Sequence, residues 1–203
     1  MNSAGGTLKM VRDHQTQGVL PLRGKVLNTF EKELADIIDN QEIKDILLTL
    51  GAGAGTVAST KNLRYDKVII AADGDPDGGH ISILLLAFFL KHIRPLVTEG
   101  KVYKVITPLY AIGSGKSRRF FYSEKEYAEY VRTHGQPKHS ERFKGLGAHN
   151  KEEIERFLVN HETRRLEQLK VEDLDETMKL FGAMMGNNLE LRKILIRTGG
   201  EME

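Results

Sequence analysis

The chain has 203 residues, 40% of them hydrophobic and 29% charged, no cysteine, no tryptophan and a formal net charge of +2. That hydrophobic share excludes wholesale disorder, and the missing cysteines exclude disulfide scaffolds, thiolate zinc sites and cysteine nucleophiles. The opening MNSAGGTLKMVRDHQ has no apolar signal core, and Ile81 to Leu90 is too short to cross a bilayer, so a soluble, intracellular protein is expected.

The small net charge conceals uneven segments. Residues 1–28 carry +3 and residues 113–150 carry +4, against −4 over 29–100 and −3 over 151–203. Two basic stretches of this kind suit a phosphate-bearing partner, with an ordinary solvated surface as the alternative.

In chain order, the first expected element is a helix around residues 5–15, followed by a short strand at Gly18–Arg23. Two helical stretches come next. The second has Asn40 as N-cap, apolar Ile43, Ile46, Leu47 and Leu50 on one side, and Gly51 as its stop. Lys67–Ala72 is a β-branched run suited to a strand covered on both faces. It leads into Asp73-Gly-Asp-Pro-Asp-Gly-Gly79, and His80–Ile93 then reads as a buried helix. Val102–Ile112 predicts another strand, with Arg119–Tyr122 as its hairpin partner. Ser123 and Asn150, each with glutamate three residues later, open two further helices. From about residue 150 the chain reads as an acidic helical extension. Alternating helices and strands favour an α/β core.

The acidic run carries the clearest chemistry. In an extended strand end alternate side chains share a face, which would bring Asp73, Asp75 and Asp77 together at the carboxyl edge of the sheet, where open α/β sheets bind ligands. Ionised carboxylates so placed repel one another and call for a hard divalent cation, for which Mg²⁺ is the first choice. A solvated turn, with Asp77 merely capping the next helix, is the alternative. An EF-hand is excluded, because the twelfth position from Asp73 is Leu84 instead of a bidentate glutamate. Gly115-Lys-Ser117 imitates the end of a P-loop, but the earlier glycine position is Tyr110 and a strand-like segment follows. The Gly51–Gly55 run follows a helix and is no dinucleotide fingerprint. Pro21-Leu-Arg-Gly-Lys-Val-Leu-Asn28 and Arg142-Phe-Lys-Gly-Leu-Gly147 place cations beside glycines, where backbone and guanidinium or ammonium groups can approach phosphates closely; taken singly, each also reads as an ordinary basic loop.

With Ser3-Ala-Gly-Gly6, Thr107-Pro-Leu-Tyr110 and the tail Met184-Met-Gly-Asn-Asn-Leu-Glu-Leu-Arg192, these motifs stand in an order that resembles the B subunit of bacterial type II DNA topoisomerases. The resemblance covers nearly the whole chain. It implies a Rossmann-like Toprim parallel sheet flanked by helices with its first strand missing, over residues 1–112, and a hairpin with a helical tail over 113–203. It implies Mg²⁺ held by Asp73 and Asp75, with Asp77 a second-site or water-mediated ligand. Asp73, Asp75 and Lys144 are the implied catalytic residues, and Arg23, Lys25, Arg142 and Lys144 the implied DNA contacts. The implied partners are double-stranded DNA, an A-type subunit bearing the attacking tyrosine, and an ATPase-bearing B-type chain or N-terminal part that binds ATP outside these residues. A cytoplasmic location in a bacterial or phage-infected cell follows. Departures accompany the matches. Met1-Asn2 stands where the family has Gly-Asp, and the glutamate before them has no counterpart, which points to a split subunit or a truncation. A stand-alone Toprim nuclease or primase-like protein and a non-catalytic DNA-binding assembly module are the competing readings.

Overall fold

The computed structural model describes residues 4–198, with Lys116 by its backbone alone. The Met1–Ser3 part of the first motif lies outside the described residues.

Helix α1 spans Ala4–Val11. The chain over Gly18–Arg23 is irregular rather than the expected strand. Pro21 lacks an amide donor, and among the described residues this segment finds no ladder to join. A short α2, Leu34–Ile37, precedes α3, Gln41–Leu50. α3 is bounded as its sequence predicts: the Asn40 side chain accepts from the Ile43 amide at 3.1 Å, and Gly51 ends the helix with φ +71°. Ile43, Ile46 and Leu50 form its buried side.

Strand β1, Val68–Ile70, is followed by α4, Pro76–His92, then α5, Arg94–Thr98, and β2, Val102–Ile106. The expected single strand from Val102 to Ile112 is in fact two. Pro108, which also restrains Thr107, ends pairing in one sheet, and β3, Tyr110–Ile112, begins in another. β4, Arg119–Phe121, is its antiparallel hairpin partner as expected, with Tyr110 opposite Phe121 and Ile112 opposite Arg119. α6, Glu124–His134, and β5, Ser140–Arg142, complete this part; β5 lies on the other side of β3, with Tyr110 opposite Arg142. α7, Lys151–Ile154, opens on a full capping box between Asn150 and Glu153 and runs into one π-helical turn, Glu155–Val159, that buries Phe157, Leu158 and Val159.

The region after residue 150 is not helical throughout. β6, Arg165–Gln168, joins the first sheet, whose order is β1-β2-β6, before α8, Leu174–Met185, and α9, Leu189–Arg197. The second sheet has the order β4-β3-β5. The fold is thus mixed α/β, with a parallel-containing sheet, flanking helices and a largely helical tail. Among the described residues no helix is long and apolar enough to cross a membrane.

Two compact units interleave along the chain. One takes in residues up to Pro21, Ile69–His80 and Lys104–Glu167; the other takes in Leu22–Val68, Ile81–Tyr103 and the residues from Gln168 onward. The first has a cluster of Val105, Leu146, Ile154, Phe157, Leu158 and Val159, covered by Ala4, Leu8 and Val11 of α1. The second is built on the apolar α4, where Phe88 and Leu90 are fully buried, and on contacts from the tail: Phe30 stacks on Phe181, and the Asn28 amide donates to the Met185 carbonyl at 2.8 Å.

Candidate metal centre

β1 ends at Ile70, and Ala71-Ala72 carry the chain to Asp73. The three aspartates do not alternate along an extended strand. Pro76 is pre-set for the first helical position, so the backbone turns before it and α4 begins there. Asp75 becomes the cap: its Oδ1 accepts from the Gly78 amide at 2.8 Å and its carbonyl from the Gly79 amide at 3.0 Å. Asp77 sits in the first helical turn, where the helix dipole favours a negative charge. The capping role that the sequence offered to Asp77 therefore belongs to Asp75. All three carboxylates are exposed.

Asp73 is fixed by a segment far along the chain. Its Oδ1 accepts from the Leu146 amide at 2.7 Å. Gly145, just before, has an extended backbone, φ 171°, which any residue adopts; glycine is required there for space. A Cβ on Gly145 would fall 2.7 Å from the Asp73 carboxylate. A Cβ on Gly78 would fall 2.0 Å from the Asp73 carbonyl oxygen, and one on Gly74 2.8 Å from the Leu109 side chain. Three glycines thus let the acidic loop close on itself and let the Gly145–Leu146 backbone reach it.

The segment that supplies the Leu146 amide is itself braced. Phe143 and Leu146 are buried, and the His149 ring lies 4.1 Å from that of Phe143. Behind it, the buried Glu153 pairs with Arg118 at 3.2 Å, and Arg118 also pairs with Glu141. Glu153 lies 3.5 Å from His149 Nδ1, long for a directed hydrogen bond. Burial pushes the His149 pKa down, against the opposing pull of Glu153, which favours the neutral imidazole.

Among the residues expected from sequence, the structure brings Asp73 together with the Arg142–Gly147 segment. Lys144 is exposed beside Gly145. Arg142 pairs with Glu124 at 3.1 Å and lies over the Tyr110 ring, while its side chain stays largely exposed. Arg23 and Lys25 belong to the other unit, where both are exposed and flank Gly24, whose φ of +72° makes a left-handed turn. Among the described residues, no three His, Asp or Glu side chains gather as a ready metal cage. Mg²⁺ needs none: it is commonly held by one or two carboxylates and keeps several waters. An oxygen-only pair such as Asp73 and Asp75, exposed to water, fits that habit. One amide donor on Asp73 leaves most of its acceptor capacity unused. Sequence reading misses the Gly145–Leu146 clamp and the Arg118–Glu153 pair. Glu153 carries a local signal only as the third position of a capping box.

Comparison with known proteins assigns the two ends of the chain. The Toprim domain profile matches residues 1–107, and that of the DNA gyrase B subunit carboxyl terminus matches residues 136–197. The chain is 40% identical over 196 residues to the B subunit of DNA gyrase from Thermotoga maritima, with 96% of this chain and 31% of that protein covered. It is 40% identical to the B subunit of DNA topoisomerase 4 from Streptococcus pneumoniae and 38% identical to its counterpart from Enterococcus faecalis, covering 95% of this chain and 30% and 29% of those proteins. The chain spans about a third of the length of these curated relatives.

Proposed function

We propose, on the premise that this chain belongs to the Toprim family, that it is the metal-binding part of a type II DNA topoisomerase B-type subunit. The single observation that carries this reading is the hydrogen bond from the Leu146 amide to Asp73, which ties the acidic loop to the Arg142–Gly147 motif.

Asp73 and Asp75 are the ligands we assign to Mg²⁺, with Asp77 at a second site or acting through water. When bound, the ion supplies Lewis acidity toward the oxygens of a DNA phosphodiester during cleavage and religation. The residues of this chain do the positioning. Leu146 holds the Asp73 carboxylate in one orientation, and the cap made by Asp75 restricts that side chain to the start of α4. Lys144, next to the clamp, is placed to neutralise a phosphate oxygen, and Arg23, Lys25 and Arg142 are assigned to the DNA backbone. An A-type partner provides the tyrosine nucleophile, and an ATPase-bearing B-type region provides ATP hydrolysis. We assign residues 1–112 to the Toprim core, 113–203 to the hairpin and tail, and the whole to the cytoplasm.

The test is cleavage of supercoiled DNA by the chain assembled with an A-type subunit and the ATPase-bearing part. Asp73→Ala and Asp75→Ala should each lower cleavage at least about 100-fold, in line with removal of a group that stabilises developing charge, while co-purification of the assembly is retained. Cleavage at the parental rate in both variants would remove the assignment.

A further inference from the structure

A cleft lined by cationic side chains lies in the unit that carries Asp73, on residues that the metal centre does not use. A cavity of about 340 Å³ is lined chiefly by Gly113, Ser117, Arg119, Tyr130, Lys138 and His139, and among the described residues no carboxylate lines it. Its construction follows from the register of the second sheet. Ile112 of β3 faces Arg119 of β4 on one side and Ser140 of β5 on the other, so Arg119 shares a row with the start of β5, which Lys138 and His139 immediately precede. Gly113 and Gly115, with φ of +75° and +56°, fold the β3–β4 connection into a tight turn, and a Cβ on Gly115 would meet nothing within 4 Å.

Two adjacent arginines in β4 and its approach have different fates. Arg118 is neutralised by Glu141 and Glu153. Arg119 makes no ion pair among the described residues and is held over the rings of Phe121 and Tyr130, 5.3 and 4.8 Å from their centroids. The aromatic ring of the cleft is occupied: Tyr130 stacks on His134 at 4.4 Å as well as meeting Arg119. A nucleobase would compete with both for that ring. A bound nucleotide is disfavoured for a second reason, because the Gly115-Lys-Ser117 turn leads into a strand rather than a helix N-terminus. The chemistry left is that of a phosphodiester oxygen approached by Arg119 and Lys138, within a segment, residues 113–150, of net charge +4.

We propose that this cleft holds a backbone phosphate of duplex DNA at a point separate from the Asp73 loop, without reading base sequence. The proposal rests on the reading that duplex DNA is the substrate. Its test is fluorescence anisotropy of the purified chain with a duplex of about 30 base pairs over a salt series, comparing the parent, Lys138→Gln, Arg119→Gln/Lys138→Gln, and Arg23→Gln/Lys25→Gln. Each cation that meets a phosphate contributes about 0.9 to the slope of log affinity against log salt. The Arg119→Gln/Lys138→Gln variant should lose about 1–2 from that slope, and Lys138→Gln, at an exposed position, about half as much. Both should act equally on two duplexes of unrelated sequence. An unchanged slope in both variants, with weaker binding by Arg23→Gln/Lys25→Gln, would overturn the cleft and leave the DNA reading standing. A parent chain that does not bind duplex DNA would overturn both.

Discussion

Buried polar groups divide the two compact units. The unit that carries Asp73 encloses a carboxylate and an imidazole, Glu153 and His149, joined to the largely buried Arg118. The other unit encloses Thr29, Ser82 and His92 around the apolar α4, and no buried carboxylate among its described residues. Hydrophobic burial is strong but non-directional, whereas a buried ion pair is costly to desolvate and tolerates few geometries. Directional groups are thus concentrated where one backbone amide must meet one carboxylate oxygen, and the other unit relies on packing.

The greatest losses should come from the apolar cores, and there the units should not differ. Phe157→Ala and Phe88→Ala each empty a fully buried ring site, one in each unit, and each should cost about 3–5 kcal/mol in urea denaturation. A cost below about 1 kcal/mol for either would mean that its unit is not held by apolar packing. A more modest pair of variants should separate the units. Gly145→Ala displaces the Asp73 carboxylate and loses a hydrogen bond to a charged acceptor, about 1.5–3 kcal/mol, and should also abolish the rise in melting temperature on adding Mg²⁺. Gly24→Ala, in open space but at φ +72°, should cost about 1–2 kcal/mol from backbone strain and leave that rise intact. Equal Mg²⁺ responses in the two variants would erase the contrast.

The weakest response concerns pH, and here the units should agree. Burial lowers the pKa of both His149 and His92 below 6.5, with the Thr29 carbonyl partly offsetting it for His92. The unfolded chain then binds more protons than the folded one below about pH 6.5. The histidine contribution is therefore undiminished above that pH and is lost as pH falls toward the lowered folded values. Urea midpoints of His149→Gln/His92→Gln should fall less between pH 7.5 and 5.5 than those of the parent. An identical fall would remove the histidines from the account.

Local signals are legible in the sequence and distant pairings are not. The bounds of α3 are legible because Asn40 and Gly51 act within one turn of the helix they delimit. β6 escapes notice because Arg165-Leu-Glu-Gln168 alternates charge with a single apolar residue, and only its place beside β2 makes it a strand. The apolar run from Val102 to Ile112 continues past Pro108 and suggests one strand, although a proline commonly stops a ladder. At the candidate site the acids and the Arg142–Gly147 motif stand out by composition. The extended alternation expected of the acids gives way to the helix start that Pro76 dictates. That Gly145 is glycine to make room for Asp73 is a fact about two segments at once, and no window along the chain contains both.

The bond between Leu146 and Asp73 spans 73 residues. Bringing the ends of such a loop together costs chain entropy that grows as about (3/2)RT ln n, and only contacts already made inside the loop reduce it. The β3–β4 hairpin, α6 and β5 all lie within that span, and their pairings close over far shorter distances. The clamp is thus a long-range contact resting on short-range ones, which predicts that it forms late in folding. The carboxylate assigned to the metal should therefore take up its orientation only after the hairpin region has formed.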